Sequence, residues 1–358
     1  MLRIDRRLLL HFDWFLVGLT AILLGAGLLT VWSLVPRLGV RQAFWLGIGS
    51  VAFLVIVSVD YGRLARWAYL AYGAGLVALV GVLALGRTAQ GARRWIALGP
   101  LSLQPSELFK LVLILVLARY LASREGYRPG WDRVLVPLAL TAPALLLIVK
   151  QPDLGTALVL VPVVLGLIFA GGARWRHLAL LGGCGLAVAP ALWFFLRDYQ
   201  RERLLVYVDP SRDPLGSAWN VIQAKITIGS GQLVGKGLFG GTQSRLAFLP
   251  ERHTDFVFAA FAESWGFIGA IVLLGVYGLV ALRGLEVAVG ARDTLGSLLA
   301  TGATVLLVSQ ALVNLAMVTG LLPVVGIPLP LVSYGGSALL TALGAVGLIA
   351  NVRMRRFA

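Results

Sequence analysis

Residues 257–282 read VFAAFAESWGFIGAIVLLGVYGLVAL, a run whose only charge is Glu263. A run of that length and apolarity exceeds the about 20 residues that carry a helix across a bilayer core. Directly before it stands the opposite kind of sequence. Residues 229–256, GSGQLVGKGLFGGTQSRLAFLPERHTDF, are rich in glycine, hydroxyls and charge, and they deliver Asp255 to the mouth of the apolar helix. A carboxylate in that position is costly to keep unless something offsets it, which makes Asp255 the first candidate for function. Capping of the 257–282 helix, whose N-terminal dipole favours an ionised carboxylate, is the competing structural explanation. Glu263 lies about two turns deeper, where an acid without a partner is expensive.

The rest of the chain agrees with a membrane setting. Mean hydropathy is +0.88, 59% of residues are hydrophobic and only 13% are charged, too little polar surface for a soluble domain of 358 residues. Apolar runs long enough to span occur near 13–34, 43–59, 67–85, 105–122, 134–149, 154–171, 178–196, 257–282, 295–319 and 335–352. The fold class is therefore an all-α polytopic integral membrane protein of about ten transmembrane helices. It reads as one membrane domain, 1–358, with a large extracellular loop, 196–256, between helices 7 and 8. The start, MLRIDRR, reads as the flank of a retained first span. The net charge of +15 sits in short basic runs between apolar segments, the pattern of membrane-flanking anchors and not of a nucleic-acid surface. Placing both termini in the cytoplasm leaves sixteen arginines in the cytoplasmic segments and six basic residues in the short outer loops, as the positive-inside rule requires. The single Cys184 lies in an apolar run and reads as a small buried hydrophobe.

Positive charge is carried almost wholly by arginine. The only lysines are Lys110, Lys150, Lys225 and Lys236, and under this topology none is cytoplasmic. An ammonium is a compact point charge suited to phosphate contact. Glu107 and Lys110, three residues apart, share a helix face and can pair, either to lock helices together or to serve a polar cavity. Arg93 and Arg94, with Trp95, suit an interfacial position. Asp153, in the turn Lys150–Gln151–Pro152–Asp153, reads as the cap of the helix that follows. Residues 199–210 mix charges with aromatics, as an amphipathic segment on the outer leaflet does, and their basic members could steer an anionic headgroup. The glycines between 229 and 241 let the backbone approach a ligand closely and can present N–H groups to phosphate, with Lys225 and Lys236 nearby. Between Asn314 and Ser337, Pro323, Pro328, Pro330 and the pair Gly335–Gly336 break any continuous helix. Irregular backbone at membrane depth survives only where protein or a water-filled cavity satisfies it, so this stretch lines a cavity or re-enters the membrane.

These motifs, in this order, resemble the RodA/FtsW/SpoVE family, the SEDS proteins of bacterial cell-wall synthesis. The resemblance rests on Gln104–Glu107, Gln151–Thr156, Leu249–Phe256 and Asn314–Ala338, and it extends over essentially the whole chain. Gly241–Ser244 leading into Phe248–Asp255 is similar to the RodA, or elongation, branch. One departure stands out: family members often carry two adjacent acids after the start of the eighth helix, whereas here Glu263 is followed by Ser264. The resemblance implies a peptidoglycan glycosyltransferase that polymerises Lipid II, a disaccharide-peptide on undecaprenyl diphosphate, at the outer face of the bacterial cytoplasmic (inner) membrane during cell elongation. A class B penicillin-binding protein and the elongation machinery are the implied partners, beside membrane lipids. Asp255 is the expected catalytic base. Arg93, Arg94, Glu107, Lys110, Lys225 and Lys236 are the expected substrate-binding residues, together with Thr242, Gln243, His253 and Ser333 from the matched motifs. A divalent cation (Mg or Mn) shared with the diphosphate fits the chemistry, although no ligand cluster demands one. The alternative is a Lipid II flippase. It would need polar groups in the cytoplasmic half of the membrane as well, whereas the candidates concentrate on the outer side.

Overall fold

A computed structural model describes residues 11–89, 92–98, 101–126, 130–196, 198–213, 216, 218–244 and 249–357. A helix lies on each of the ten apolar runs: α1 (Trp14–Leu34), α2 (Pro36–Ser58), α4 (Ala68–Leu85), α5 (Pro105–Ala122), α6 (Asp132–Lys150), α7 (Leu154–Ala170), α8 (Trp175–Leu192), α11 (Val257–Val289), α12 (Thr294–Thr319) and α13 (Gly336–Met354). Seven of them are long and apolar enough to cross a membrane. The short helix α3 (Tyr61–Arg66) links α2 to α4, while α9 (Asp198–Val208) and α10 (Trp219–Ser230) occupy the long loop. The hydrophobic runs do not foretell strands β1 (Arg87–Ala89), β2 (Ala92–Leu98) and β3 (Leu101–Leu103). They form an antiparallel meander with Thr88 opposite Arg93 and Ala97 opposite Ser102. Their short period-two pattern is too weak to register beside helices of hydropathy near 2.

Of the seven long apolar helices, the most interior are α13, 83% buried in its most apolar stretch, and α12, at 61%; α4 is only 17% buried there and turns most of its side chains to the lipid. The small residues of α13 let α2 and α5 pack against it closely. Cys184 is a correction to its reading: it is exposed on the surface of α8, as a side chain facing lipid is.

Helix α11 does not run straight. At Gly266 the backbone takes φ 68°, ψ −169°, a region that only glycine adopts readily, and the helix breaks there. The groups freed by the break are answered by the Gly-rich loop. Phe267 and Ile268 donate to the carbonyls of Gln232 and Leu233 at 2.8 and 3.1 Å, while Lys236 and Gly237 donate to Glu263 and Ser264 at 3.0 Å each. The chains approach so closely that a Cβ on Gly235 would stand 2.3 Å from the Ser264 carbonyl oxygen. Gly235, one of the glycines read as a phosphate cradle, thus serves with Gly266 of α11 to seat the loop on the kink. The part of α11 beyond the break, Phe267–Val289, is about 34 Å long and spans a bilayer core by itself.

A Gly266→Ala substitution would put a Cβ 2.3 Å from the Gly235 nitrogen at a positive φ. It should destabilise the protein by ~2 kcal/mol or more, read as a lower melting temperature in detergent. Gly275→Ala, on the same helix with open space around it, should leave that temperature unchanged or raise it.

Candidate functional site

The site is built around the non-helical segment from Gly320 to Gly335, which joins α12 to α13. Within the bundle every polar group of that backbone needs a partner, and neighbouring side chains supply many of them. Asn314 of α12 donates to the carbonyl of Ile327 at 2.6 Å and to that of Asp255 at 2.8 Å. Tyr277 reaches the Pro330 carbonyl. Gln42 donates to Val332 at 3.3 Å. Ser333 accepts from the Leu329 N–H at 2.8 Å and donates to the Thr254 carbonyl at 2.6 Å, and Tyr334 N–H donates to the His253 carbonyl at 2.8 Å. The turn that carries Asp255 is thereby fastened to the broken segment at three consecutive residues, His253, Thr254 and Asp255.

Asp255 does not cap α11. Phe256 occupies that position and makes no side-chain cap. The Asp255 carboxylate, which is only partly exposed, has no hydrogen bond or ion pair among the described residues. Its Oδ2 lies 3.4 Å from where a Cβ on Gly326 would stand, and Gly326 holds a left-handed φ of 73° there. Burial pushes the acid up to about 7, helped by the charges of Glu251 and Asp153; Arg203 and Arg94 oppose the rise. A carboxylic acid titrating near neutral pH, held in place by its backbone and facing arginines, is equipped to take a proton.

Around it stand groups that the sequence only partly singles out. Arg94 donates to the Gln151 carbonyl at 3.0 Å and to that of Pro152, and lies 3.7 Å from Asp153. Asp153 caps α7 as its reading predicts, accepting from the Thr156 N–H at 3.3 Å. It also accepts from Gln104 at 2.9 Å and Ser106 at 3.1 Å, which ties the meander, α5 and the α6–α7 turn into one network. Arg203, on α9, donates to the Val324 carbonyl at 3.0 Å, and Tyr207 donates to that of Leu321 at 2.8 Å, so the amphipathic segment lies along the broken one. Arg252, three residues before Asp255, has a buried Nε with no partner, and burial lowers its guanidinium from its ordinary range. Its position inside the matched motif was the one signal available for it. Burial likewise lowers His253, whose ring faces Tyr334 at 5.9 Å and is neutral at neutral pH.

The lysines are spread differently from the expectation. Lys110 and Glu107 form a fully buried pair at 2.7 Å, and one oxygen of Glu107, Oε2, is left without a partner. Lys225 packs over Gly320 at the C-terminus of α12, where a cation opposes the helix dipole. Lys236 pairs with Glu263 at 3.0 Å. Glu263 has no exposed surface, and its carboxylate also accepts from the backbone N–H groups of Thr242, Gln243 and Ser244 at 2.9, 3.0 and 2.9 Å. The acid that looked expensive is the anchor of the Gly-rich loop. Thr242, Gln243 and Lys236 therefore form one knot around Glu263, and Ser333 holds the Asp255 turn. The side chain of Arg93 lies outside the described part of the structure. Among the described residues no group of three or more His, Cys, Asp or Glu side chains could hold a metal ion.

Comparison with known proteins agrees with this architecture. Residues 15–357 match the family described as Cell cycle protein, FtsW/RodA/SpoVE. The chain is 40% identical to the peptidoglycan glycosyltransferase MrdB of Escherichia coli (strain K12) over 350 residues, 97% of this chain and 94% of that one. Among solved structures it superposes on a chain from a study of polymerization and crosslinking by a peptidoglycan synthase complex, with TM-score 0.83, 39% identity and coverage of 97% and 98% of the two chains. It also superposes on the rod shape determining protein RodA of Thermus thermophilus, with TM-score 0.74, 38% identity and coverage of 97% and 98%. The chain belongs to the FtsW/RodA/SpoVE family of multi-pass bacterial membrane proteins.

Proposed function

We infer that this chain is a peptidoglycan glycosyltransferase that polymerises Lipid II during cell elongation, with Asp255 as the general base. The observation that carries the assignment of the base is the unpartnered Asp255 carboxylate, raised to about 7 and faced by arginines at the edge of the broken segment. A donor whose sugar is α-linked to diphosphate gives a β-1,4 bond by a single inverting displacement. The acceptor 4-hydroxyl loses its proton to Asp255 as its oxygen attacks the anomeric carbon, and the bond to the diphosphate breaks. Charge gathers on the departing diphosphate, and Arg94, Arg203 and Arg252 are the cations that stand to stabilise it. Glu107 and Lys110 line the polar interior beneath. The site faces the outside of the cytoplasmic membrane, both chain termini lie in the cytoplasm, and the partner is a class B penicillin-binding protein that supplies crosslinking. That pairing is supported by the similar chain from a synthase complex that joins polymerization to crosslinking. A Mg or Mn ion, if one is used, would be held by Asp255 and would supply positive charge for the diphosphate, and polymerisation assayed with and without chelator tests for it.

Asp255→Asn should abolish glycan-chain elongation from labelled Lipid II by the purified protein while leaving it folded. Glycan ladders at wild-type length and yield would refute the assignment.

The raised pKa makes two further demands. The base works only when ionised, so polymerisation should rise with pH through about 7 and level off above it. For stability the sign is opposite. A carboxyl raised on folding favours the folded state below its unfolded value, and that contribution is lost as pH rises through the folded value near 7. Asp255→Asn should therefore melt higher than wild type at pH 8, with the gap closing as the pH falls to about 4. A constant difference across that range would mean that the substitution acts through packing alone.

A further inference from the structure

At the other end of α11 the chain builds a second polar site that the proposed reaction does not use. Asp255 and Arg283 are separated by 28 residues, about 40 Å along the kinked helix, so this site sits at the opposite membrane boundary. It is a cavity of about 280 Å³, lined by His11, Asp13, Trp14, Arg283, Arg353 and Phe357 among others.

The charges in it are not equivalent. Arg283 is committed: it donates to Asp13 at 2.7 Å and pairs with Glu286 at 2.5 Å. Asp13 is buried and committed too, since it also caps α1 by accepting from the Leu16 N–H at 3.0 Å. Arg353 is different. Its guanidinium makes no hydrogen bond or ion pair among the described residues, and its Nη1 is withdrawn from solvent without a partner. A guanidinium costs several kcal/mol to desolvate, and an uncommitted one in a cavity is complementary to an anion that can accept two parallel N–H bonds. The rim specifies the kind of anion. Trp14, in the first turn of α1, and Phe357, in the turn that follows α13, are each 69% exposed at the border of the cavity. Exposed aromatics at that level are what an acyl-chain and headgroup boundary contacts.

We propose that this cavity binds the phosphate of an anionic phospholipid, with Arg353 as its bidentate donor and Trp14 and Phe357 against the glycerol and upper acyl region. The same guanidinium chemistry would accept a free phosphate ion, and the aromatic rim is what favours the lipid. The site is separate from the reaction centre and does not depend on the reading of Asp255.

The test is native mass spectrometry of the full chain released from micelles holding equal phosphatidylglycerol and phosphatidylcholine of matched chain length. A parallel thermal-shift measurement uses each lipid and inorganic phosphate. Wild-type protein should retain phosphatidylglycerol in preference and be stabilised by it. Arg353→Gln should weaken that retention about tenfold, the loss of one charge-assisted contact. Arg353→Lys, which keeps the charge and loses the fork, should fall between the two and shows the effect even if Arg353→Gln does not fold. Equal retention of phosphatidylglycerol by wild type and Arg353→Lys would overturn the bidentate contact. Equal retention of the two lipids by wild type, or stabilisation by inorganic phosphate to the same extent, would overturn the assignment to an anionic lipid.

Discussion

A backbone that leaves helical geometry inside a membrane bundle must have its N–H and C=O groups answered by protein, because no water is there to answer them. The segment from Gly320 to Gly335 imposes that constraint here, and Asn314 is where it is met most economically. One side-chain amide donates both to Ile327, in the broken segment, and to Asp255, in the turn opposite. Ser333 and Tyr334 repeat the link at the two preceding residues. The turn is thus fixed through its backbone, and the side chain of Asp255 is left with no structural duty. The Asp255 carboxylate is then rigid in position and still unbonded.

That separation explains the energetics of Asp255. A capping carboxylate would have gained hydrogen bonds from the helix and been held low; Asp255 misses the cap by one residue and gains none. Glu263, on the same helix, is the counterexample. It is more deeply buried, yet three backbone N–H groups and Lys236 hold it, so its charge serves the architecture. Two acids eight residues apart have been assigned opposite work by the bonds they are given. A site that stores an unsatisfied charge lowers stability, and the surrounding hydrogen bonds and packing must offset it.

How much of this the sequence discloses depends on range. The ten helices are legible because each is a long and mostly apolar run, and the break before α13 is legible because proline and paired glycine act locally. Asp255 stands out as a charge at an apolar edge. What is not legible is which partner each charge meets, since that is decided by contacts between residues far apart in the chain. The spacing of Glu107 and Lys110 gives their pairing directly, whereas Lys236 with Glu263, Arg94 with Asp153 and Asn314 with Asp255 are separated by 27, 59 and 59 residues. The meander and the kink at Gly266 are missed for a related reason: their signals are short, and the kink exists only because the loop of Gln232–Gly237 is there to satisfy it.

The distribution of cations follows from the same rule. Scarce lysine suggested contact with phosphate, yet Lys110 and Lys236 are each bonded to a buried acid and Lys225 rests on a helix C-terminus. An ammonium close to one carboxylate is a compact way to neutralise it, and two of these lysines do that. The groups whose charge reaches Asp255 are Arg94 and Arg203, beside the adjacent Arg252. Arg94 and Arg203 are each aimed by a backbone carbonyl, that of Gln151 for Arg94 and that of Val324 for Arg203. A planar guanidinium aimed in this way carries its charge with a direction that an ammonium lacks. Among the cations of this bundle the arginines are therefore the ones suited to an anionic leaving group, and the lysines are part of the frame that holds them.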